Sequence, residues 1–185
     1  DMGHGYALRN LEVEDLGRPT KFTEFAGLAG WERRGRSGEW RMRGGVIEAL
    51  NGDSILHAPP AFSDFEVTAV VRTHGRVNSG IFLRGQPEGS DRGFEVQIYS
   101  PVDAVYQTGS IYGRRRSTLE ADLEGQWFLL QIRVAGARCT VWVDGRQVAD
   151  FNGLPEELRK AGRIGLQLHS QDSRVEFRDL RVRAL

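Results

Sequence analysis

Residues 93–100 read GFEVQIYS, and their strict alternation decides the fold class. Phe94, Val96 and Ile98 fall on one side of an extended chain and Glu95, Gln97 and Tyr99 on the other, the period of two that marks a strand with one buried face. The preceding segment, NSGIFLRG at 78–85, repeats the pattern. Ser79, Ile81 and Leu83 face one way, and Asn78, Gly80, Phe82 and Arg84 the other.

Outward from this pair, Phe65, Val67, Ala69 and Val71 alternate with more polar neighbours, and WFLLQIRV at 127–134 and CTVWVDG at 139–145 read as a meander. VDGRQVADF at 143–151 is a hairpin whose Asp144-Gly145 pair suits a type I′ turn. RIGLQLHS at 163–170 buries Ile164, Leu166 and Leu168 and presents Gln167 and His169. In the last strand Val175 and Phe177 point inward while Leu180 and Val182 continue out of phase, which predicts a bulge near Arg178-Asp179. Only PEELRKAG at 155–162 has a helical start and stop, Pro155 and Gly162, and it is too short for more than one or two turns. The fold class is therefore all-β: an antiparallel β-sandwich with at most one short helix.

Composition narrows the function classes. The chain has 185 residues with 25 basic and 25 acidic side chains. Zero formal charge removes the general electrostatic pull that nucleic-acid binders use. No run approaches the ~20 apolar residues of a membrane span. Cys139 is the only cysteine, so no internal disulfide or Cys-rich zinc site forms. Glycine, at 23 residues, is above the usual ~7% and signals many tight turns. Lys21 and Lys160 are the only lysines among the basic residues. Residues 1–20 have no periodicity and are expected to be an N-terminal arm or processed leader remnant, with residues 21–185 a single domain. There is no HExxH pair, Walker loop, GxSxG elbow or EF-hand loop, and His4, His57, His74 and His169 do not sit at short ligand spacings.

In order along the chain stand LAGWERRG, WRMRGGVIEA, DFEVTAVVR, NSGIFLRG, GFEVQIYS, TGSIYG, GQW, VWVDGRQVADF and RIGLQLHSQDSRVEFRDLRV. In these stretches, from about Phe22 to Leu185, the sequence resembles the bacterial 3-keto-disaccharide hydrolase family, formerly a family of unknown function. The resemblance implies a concanavalin A-like jelly roll, a carbohydrate or glycoside ligand, export to the periplasm or outer surface, and cleavage of sugars whose 3-hydroxyl is oxidised to a ketone. The chain departs at Tyr99-Ser100, where the family commonly has Asp or Asn, and at Phe128, where it commonly has Asn.

The chemistry implied has definite requirements. A ketone at C3 acidifies the C2 proton, because the carbanion delocalises as an enolate. The C1 substituent is then placed for elimination, and water adding back gives net hydrolysis. Such a site needs a base near C2, a positive group or metal near the carbonyl oxygen and an acid near the leaving oxygen. Strand parity projects Arg84, Glu95, Gln97, Tyr99, Gln167 and His169 from the face opposite the core. His169 and Glu95 are the candidate catalytic residues, either one taking the proton. Arg84 is expected at the enolate or a sugar hydroxyl, Gln97, Gln167 and Asn78 among the substrate-binding groups, and Tyr112, with Trp142 as a second choice, as an aromatic platform.

Each pick has a plainer alternative. Glu95 and Arg84 also fit a cross-strand ion pair, His169 a satisfied histidine at a strand end, and Asn78 and Gly80 a strand entry. Gln97 and Gln167 also fit as caps on backbone groups in neighbouring loops. Trp31, Trp40 and Trp127 read as corner packing. Arg114-Arg115-Arg116 reads as a solvated loop, or as a contact to a phosphorylated or acidic glycan. The cofactor is left open, with a divalent ion at His169 and Glu95 among the alternatives. A non-catalytic carbohydrate-binding module of the same fold remains the rival to the enzyme. An ordinary glycosidase is disfavoured, since no strand carries an ExDxE run of carboxylates.

Overall fold

Along residues 65–74 the burial alternates at every step: Phe65, Val67, Ala69 and Val71 are sealed from solvent and each residue between them is half-buried. One strand face meets a core and the other does not. The structure, a computed structural model, describes residues 21–86, 93–101 and 103–185; the arm expected at 1–20 lies outside them. The strands are β1 (Thr23–Glu24), β2 (Glu32–Gly35), β3 (Glu39–Arg43), β4 (Val46–Phe62), β5 (Phe65–His74), β6 (Asn78–Gly85), β7 (Phe94–Tyr99), β8 (Phe128–Ala135), β9 (Arg138–Val143), β10 (Arg146–Asn152) and β11 (Gly162–Ala184). The segment expected to be helical gives a single 3₁₀ turn, Glu156–Leu158.

The strands pair antiparallel in the order β10-β9-β8-β5-β11-β4-β2, with β3 also on β4, β1 and β6 also on β11, and β7 on β6. Two long strands make this curled sheet a sandwich. The first half of β11 pairs β6 and its second half pairs β5, while β4 pairs β3 at its start and β2 further on. Each of these strands thus serves both layers of a jelly roll. Between the layers, Ile81, Leu83, Val96, Ile98, Leu166 and Leu168 meet Phe65, Val67, Leu130, Ile132, Val141 and Phe177, each no more than 1% exposed. Burial of such a side chain contributes about 1.5–3 kcal/mol.

Local details follow the sequence closely. Asp144 and Gly145 both have positive φ, 48° and 78°, the signature of the type I′ turn. The pairing of β11 with β5 shifts register between Arg178 and Arg181, and Asp179 has φ 51°. This bulge lets Val175 and Phe177 before it and Leu180 and Val182 after it all reach the core. The two strands expected at 163–170 and from Val175 onward are one continuous strand, whose register with β4 shifts between them, from Ser170 to Arg174.

Candidate functional site

The first half of β11, with β6 and β7, forms a floor whose inner side is core and whose outer side is polar. The register sets Gln167 opposite Gly80 and Gly80 opposite Gln97. The neighbouring row runs Gly165, Phe82, Glu95, and Asn78 stands opposite Tyr99. From the core side the Ser79 hydroxyl donates to the Gln167 carbonyl at 2.6 Å, tying β6 to β11. The outer faces enclose a pocket of about 370 Å³ lined by His169, Gln167, Asn78, Gln97, Glu95 and Tyr112, together with Phe82, Phe94, Gly93 and Arg114.

Two features of the floor bear on its chemistry. A Cβ on Gly80 would lie 2.8 Å from both Cγ and Cδ of Glu95 and nearer still to Oε1, so the carboxylate occupies the space that any side chain at position 80 would fill. Gln97 Nε2 donates to Asn78 Oδ1 at 2.8 Å. Gln167, by contrast, is 9% exposed and its Oε1 is buried without a hydrogen-bond partner among the described residues. A buried acceptor left unpaired costs ~1–3 kcal/mol, a cost that a ligand hydroxyl donating to it removes.

His169 lies four residues along β11 from Gly165, whose row carries Glu95; at the usual rise that is about 13 Å. Because Glu95 leans over Gly80, in the Gln167 row, its carboxylate closes roughly half of that interval. The two groups are therefore set about two residues apart along the floor, ~7 Å, rather than as a hydrogen-bonded pair. His169 is exposed and Glu95 is 9% exposed.

The wall is built by residues 106–118, which run along the free edge of β7. Gln97 N donates to Ser110 O, Gly109 N to Gln97 O and Tyr112 N to Glu95 O, each at 2.9 Å. This pairing brings Tyr112, 51% exposed and with its ring 5.0 Å from that of Tyr106, to the pocket. Among the described residues no three His, Cys, Asp or Glu side chains gather into a cation site.

Arg84 corrects the expectation from strand parity. Its φ is 56°, in the left-handed region, so at the end of β6 its side chain leaves the alternation and does not line the pocket. The guanidinium is 2% exposed. Nε donates to Ser63 O (2.7 Å), Nη1 to Gly136 O (2.9 Å) and Leu158 O (3.0 Å), and Nη2 to Asp64 Oδ1 (2.9 Å). Burial pulls its pKa below the usual guanidinium range, against the opposing pull of the Asp64 carboxylate. Arg84 thus joins the 3₁₀ turn to the loops beside β5 and β8, and it forms no pair with Glu95.

Trp142 is also elsewhere, in a groove of the other layer with Thr68 and Gln131. Trp40 donates to Ser54 Oγ at 2.9 Å, Trp31 meets Phe25 edge-on, and Trp127 has the guanidiniums of Arg72 and Arg178 each 4.4 Å from its ring. Ser100 is buried and hydrogen-bonded to Thr73 at 3.1 Å, and Phe128 is in the core, so neither lines the pocket. Sequence reasoning gave no site role to Phe82, and it read Gly80 only as strand shaping. The signal for Gly80 was a glycine at an outward position of a strand otherwise built from larger residues.

With this geometry established, the model of the 3-keto-alpha-glucoside-1,2-lyase-like domain matches residues 23–183. No curated protein matches the chain. Among solved structures, the chain is similar to a candidate glycosyl hydrolase from Parabacteroides distasonis ATCC 8503, with TM-score 0.75 and 21% identity over 89% of this chain and 100% of that one. It is similar to the carbohydrate binding module CBM66 from Bacillus subtilis, with TM-score 0.60 and 17% identity over 84% and 96%. The exoplasmic/lumenal domain of VIP36 in its Ca2+/Man3GlcNAc-bound form gives TM-score 0.58 and 16% identity over 86% and 85%. At these identities the likenesses establish the fold, a galectin-like jelly roll.

Proposed function

We propose that this chain, which belongs to the 3-keto-alpha-glucoside-1,2-lyase-like family, binds a 3-keto-glycoside in the pocket over β6, β7 and β11 and cleaves it by abstraction of the C2 proton. The observation that carries the reading is the union, in one pocket, of His169, Glu95 and a Gln167 Oε1 that has no hydrogen-bond partner among the described residues.

In this mechanism one of His169 and Glu95 removes the C2 proton, and the electron pair delocalises onto the C3 oxygen as an enolate. The enolate then collapses, C1–O breaks, and the departing oxygen takes a proton from the other group. The sugar leaves as an enone with a C1–C2 double bond, and water adding across that bond gives net hydrolysis. Separation of the two groups along the floor suits this division of labour, because base and acid address different atoms of one ring. With Arg84 outside the pocket, the side-chain amides of Gln167 and Asn78 are the donors assigned to the enolate oxygen. Gln167 Oε1 accepts from a sugar hydroxyl, and the Tyr112 ring packs against an apolar sugar face. Export belongs to the same proposal and rests on the family resemblance.

The second reading, a carbohydrate-binding module without catalysis, is favoured by one observation. Arg84, the cation expected at the enolate, is consumed by backbone carbonyls at the far end of β6. Its likeness in fold to a carbohydrate binding module agrees with that alternative. Paired 4-nitrophenyl glucosides, one oxidised at C3 and one not, separate the two. Release of nitrophenol that requires the ketone supports the enzyme. Binding of both without release leaves only the binding module.

A further inference from the structure

The pocket wall carries a cation that the cleavage mechanism does not use. Arg114 lines the pocket, yet among the described residues its guanidinium makes no ion pair and donates only to the Tyr112 carbonyl, at 3.3 Å. Its neighbours Arg115 and Arg116 are exposed and likewise form no ion pair among those residues. Asp150, which feels the field of Arg115, is already held by Arg138 through Nε at 2.8 Å and Nη2 at 2.6 Å. Between Asp103 and Glu120 the sequence holds three arginines and no carboxylate.

This is not a free-swinging loop end. Ile111 N donates to Arg115 O at 2.8 Å, Arg115 N to Ile111 O at 2.9 Å and Arg114 N to Ile111 O at 3.0 Å, while Tyr112 N is fixed to Glu95 O. The Ser110 hydroxyl accepts from Ser117 N at 2.9 Å across the base of the same turn. A fixed backbone presents a guanidinium with no carboxylate partner among the described residues, at the rim of a pocket whose floor offers amides and one carboxylate. Guanidinium is the side chain best matched to a planar or tetrahedral oxyanion, which it grips with two parallel hydrogen bonds.

We propose that Arg114 reads an anionic substituent, so that the preferred ligands of this pocket are glycosides bearing an oxyanion such as a carboxylate or sulfate. The inference rests on the sugar-binding reading of the same pocket and adds its substrate class. Arg114 is a specificity residue here, since the oxyanion it holds is remote from the bond that breaks.

Titration calorimetry on the full chain tests it with three unoxidised probes that cannot react through a C3 ketone: 4-nitrophenyl glucoside, 4-nitrophenyl glucuronide and 4-nitrophenyl 6-sulfoglucoside. The expected result is that at least one anionic probe binds about tenfold more tightly than the neutral one. Arg114→Gln removes that preference while leaving the neutral affinity within about twofold, and Arg114→Lys restores part of it. Which anionic probe gains identifies the oxyanion. Binding of all three with equal affinity, or a preference unchanged in Arg114→Gln, overturns the role of Arg114 and leaves the sugar-binding reading standing. Failure of all three to bind overturns the role of Arg114, while the oxidised glucoside assay decides the sugar-binding reading separately.

Discussion

The Glu95 carboxylate lies in the space that a side chain at Gly80 would occupy, with Cγ and Cδ both 2.8 Å from where its Cβ would stand. Two adjacent strands are thereby coupled: β6 leaves a gap so that β7 can send a carboxylate to the middle of the pocket floor. Gly80→Ala forces Glu95 aside, and overpacking of this kind typically costs about 1–3 kcal/mol. The expected outcome is a modest fall in melting temperature and a loss of turnover on a 3-keto-glucoside comparable to that of Glu95→Ala. Full turnover in Gly80→Ala removes the carboxylate from the account.

His169→Ala and Glu95→Ala, each still folded by circular dichroism, are expected to lower aglycone release by about a hundredfold or more, the range typical of general acid–base groups. Binding of an unoxidised glucoside should survive in His169→Ala.

Arg84 has the opposite signature. Arg84→Met strips the donor from three backbone carbonyls, each orphaned acceptor costing ~1–3 kcal/mol, while Asp64, 44% exposed, is left to solvent. Differential scanning calorimetry should show a melting temperature lower by on the order of 10 °C. Sugar affinity of the folded protein at low temperature should not change, because Arg84 does not line the pocket.

These contrasts show what the sequence makes legible. Alternation in 78–85, 93–100 and 163–170 is enough to set Asn78, Gln97, Glu95, Gln167 and His169 on the outer side, because side-chain direction in a strand depends only on parity. The parity argument fails at Arg84, where one residue with φ 56° ends the alternation, and nothing in NSGIFLRG marks that residue for a left-handed backbone. Arg114 is legible only within the run Arg114-Arg115-Arg116, as a solvated loop or a contact to a phosphorylated or acidic glycan; its place at this pocket depends on backbone hydrogen bonds between a loop and the edge of β7, which no side-chain pattern encodes. The N-terminal strands also escape the alternation test. β2 and β3 are largely exposed or half-buried on both faces, and β4 carries Pro59-Pro60 near its end.

Stability should fall in two steps as pH drops. Burial, aided by the Arg163 charge, holds the His57 imidazole below its usual value of 6.5, so the unfolded chain takes up the proton first and stability declines below about pH 6.5. Burial raises the Glu176 carboxyl, but hydrogen bonds from Arg72 (Nε···Oε2 2.6 Å) and His74 outweigh it and leave the pKa below the usual 4.5. Its contribution is present above pH 4.5 and is lost as pH falls through the depressed folded value. Urea titrations across pH 3–8 measure both. His57→Gln should flatten the upper step and Glu176→Gln the lower.

Cys139 is fully buried, and desolvation pushes its thiol pKa up to about 12. The thiolate that attacks disulfide reagents is thus scarce and shielded. Ellman's reagent at pH 8 should leave the native protein unmodified and label one thiol per chain in denaturant. Rapid labelling of native protein contradicts the packing of β9 into the core.

The central claim is proton abstraction at C2 by groups in the β6–β7–β11 pocket, and hydrogen exchange reads it without requiring bond cleavage. In D₂O, 3-keto-1,5-anhydroglucitol has no exocyclic group to eliminate at C1, so abstraction of its C2 proton is read as return of a deuteron. Proton NMR should show loss of the C2 signal accelerated by the wild-type chain, with the His169→Ala/Glu95→Ala double variant slower by about a hundredfold or more. Exchange at C2 no faster than in buffer, with the sugar bound, would contradict the mechanism and leave the chain a carbohydrate-binding module.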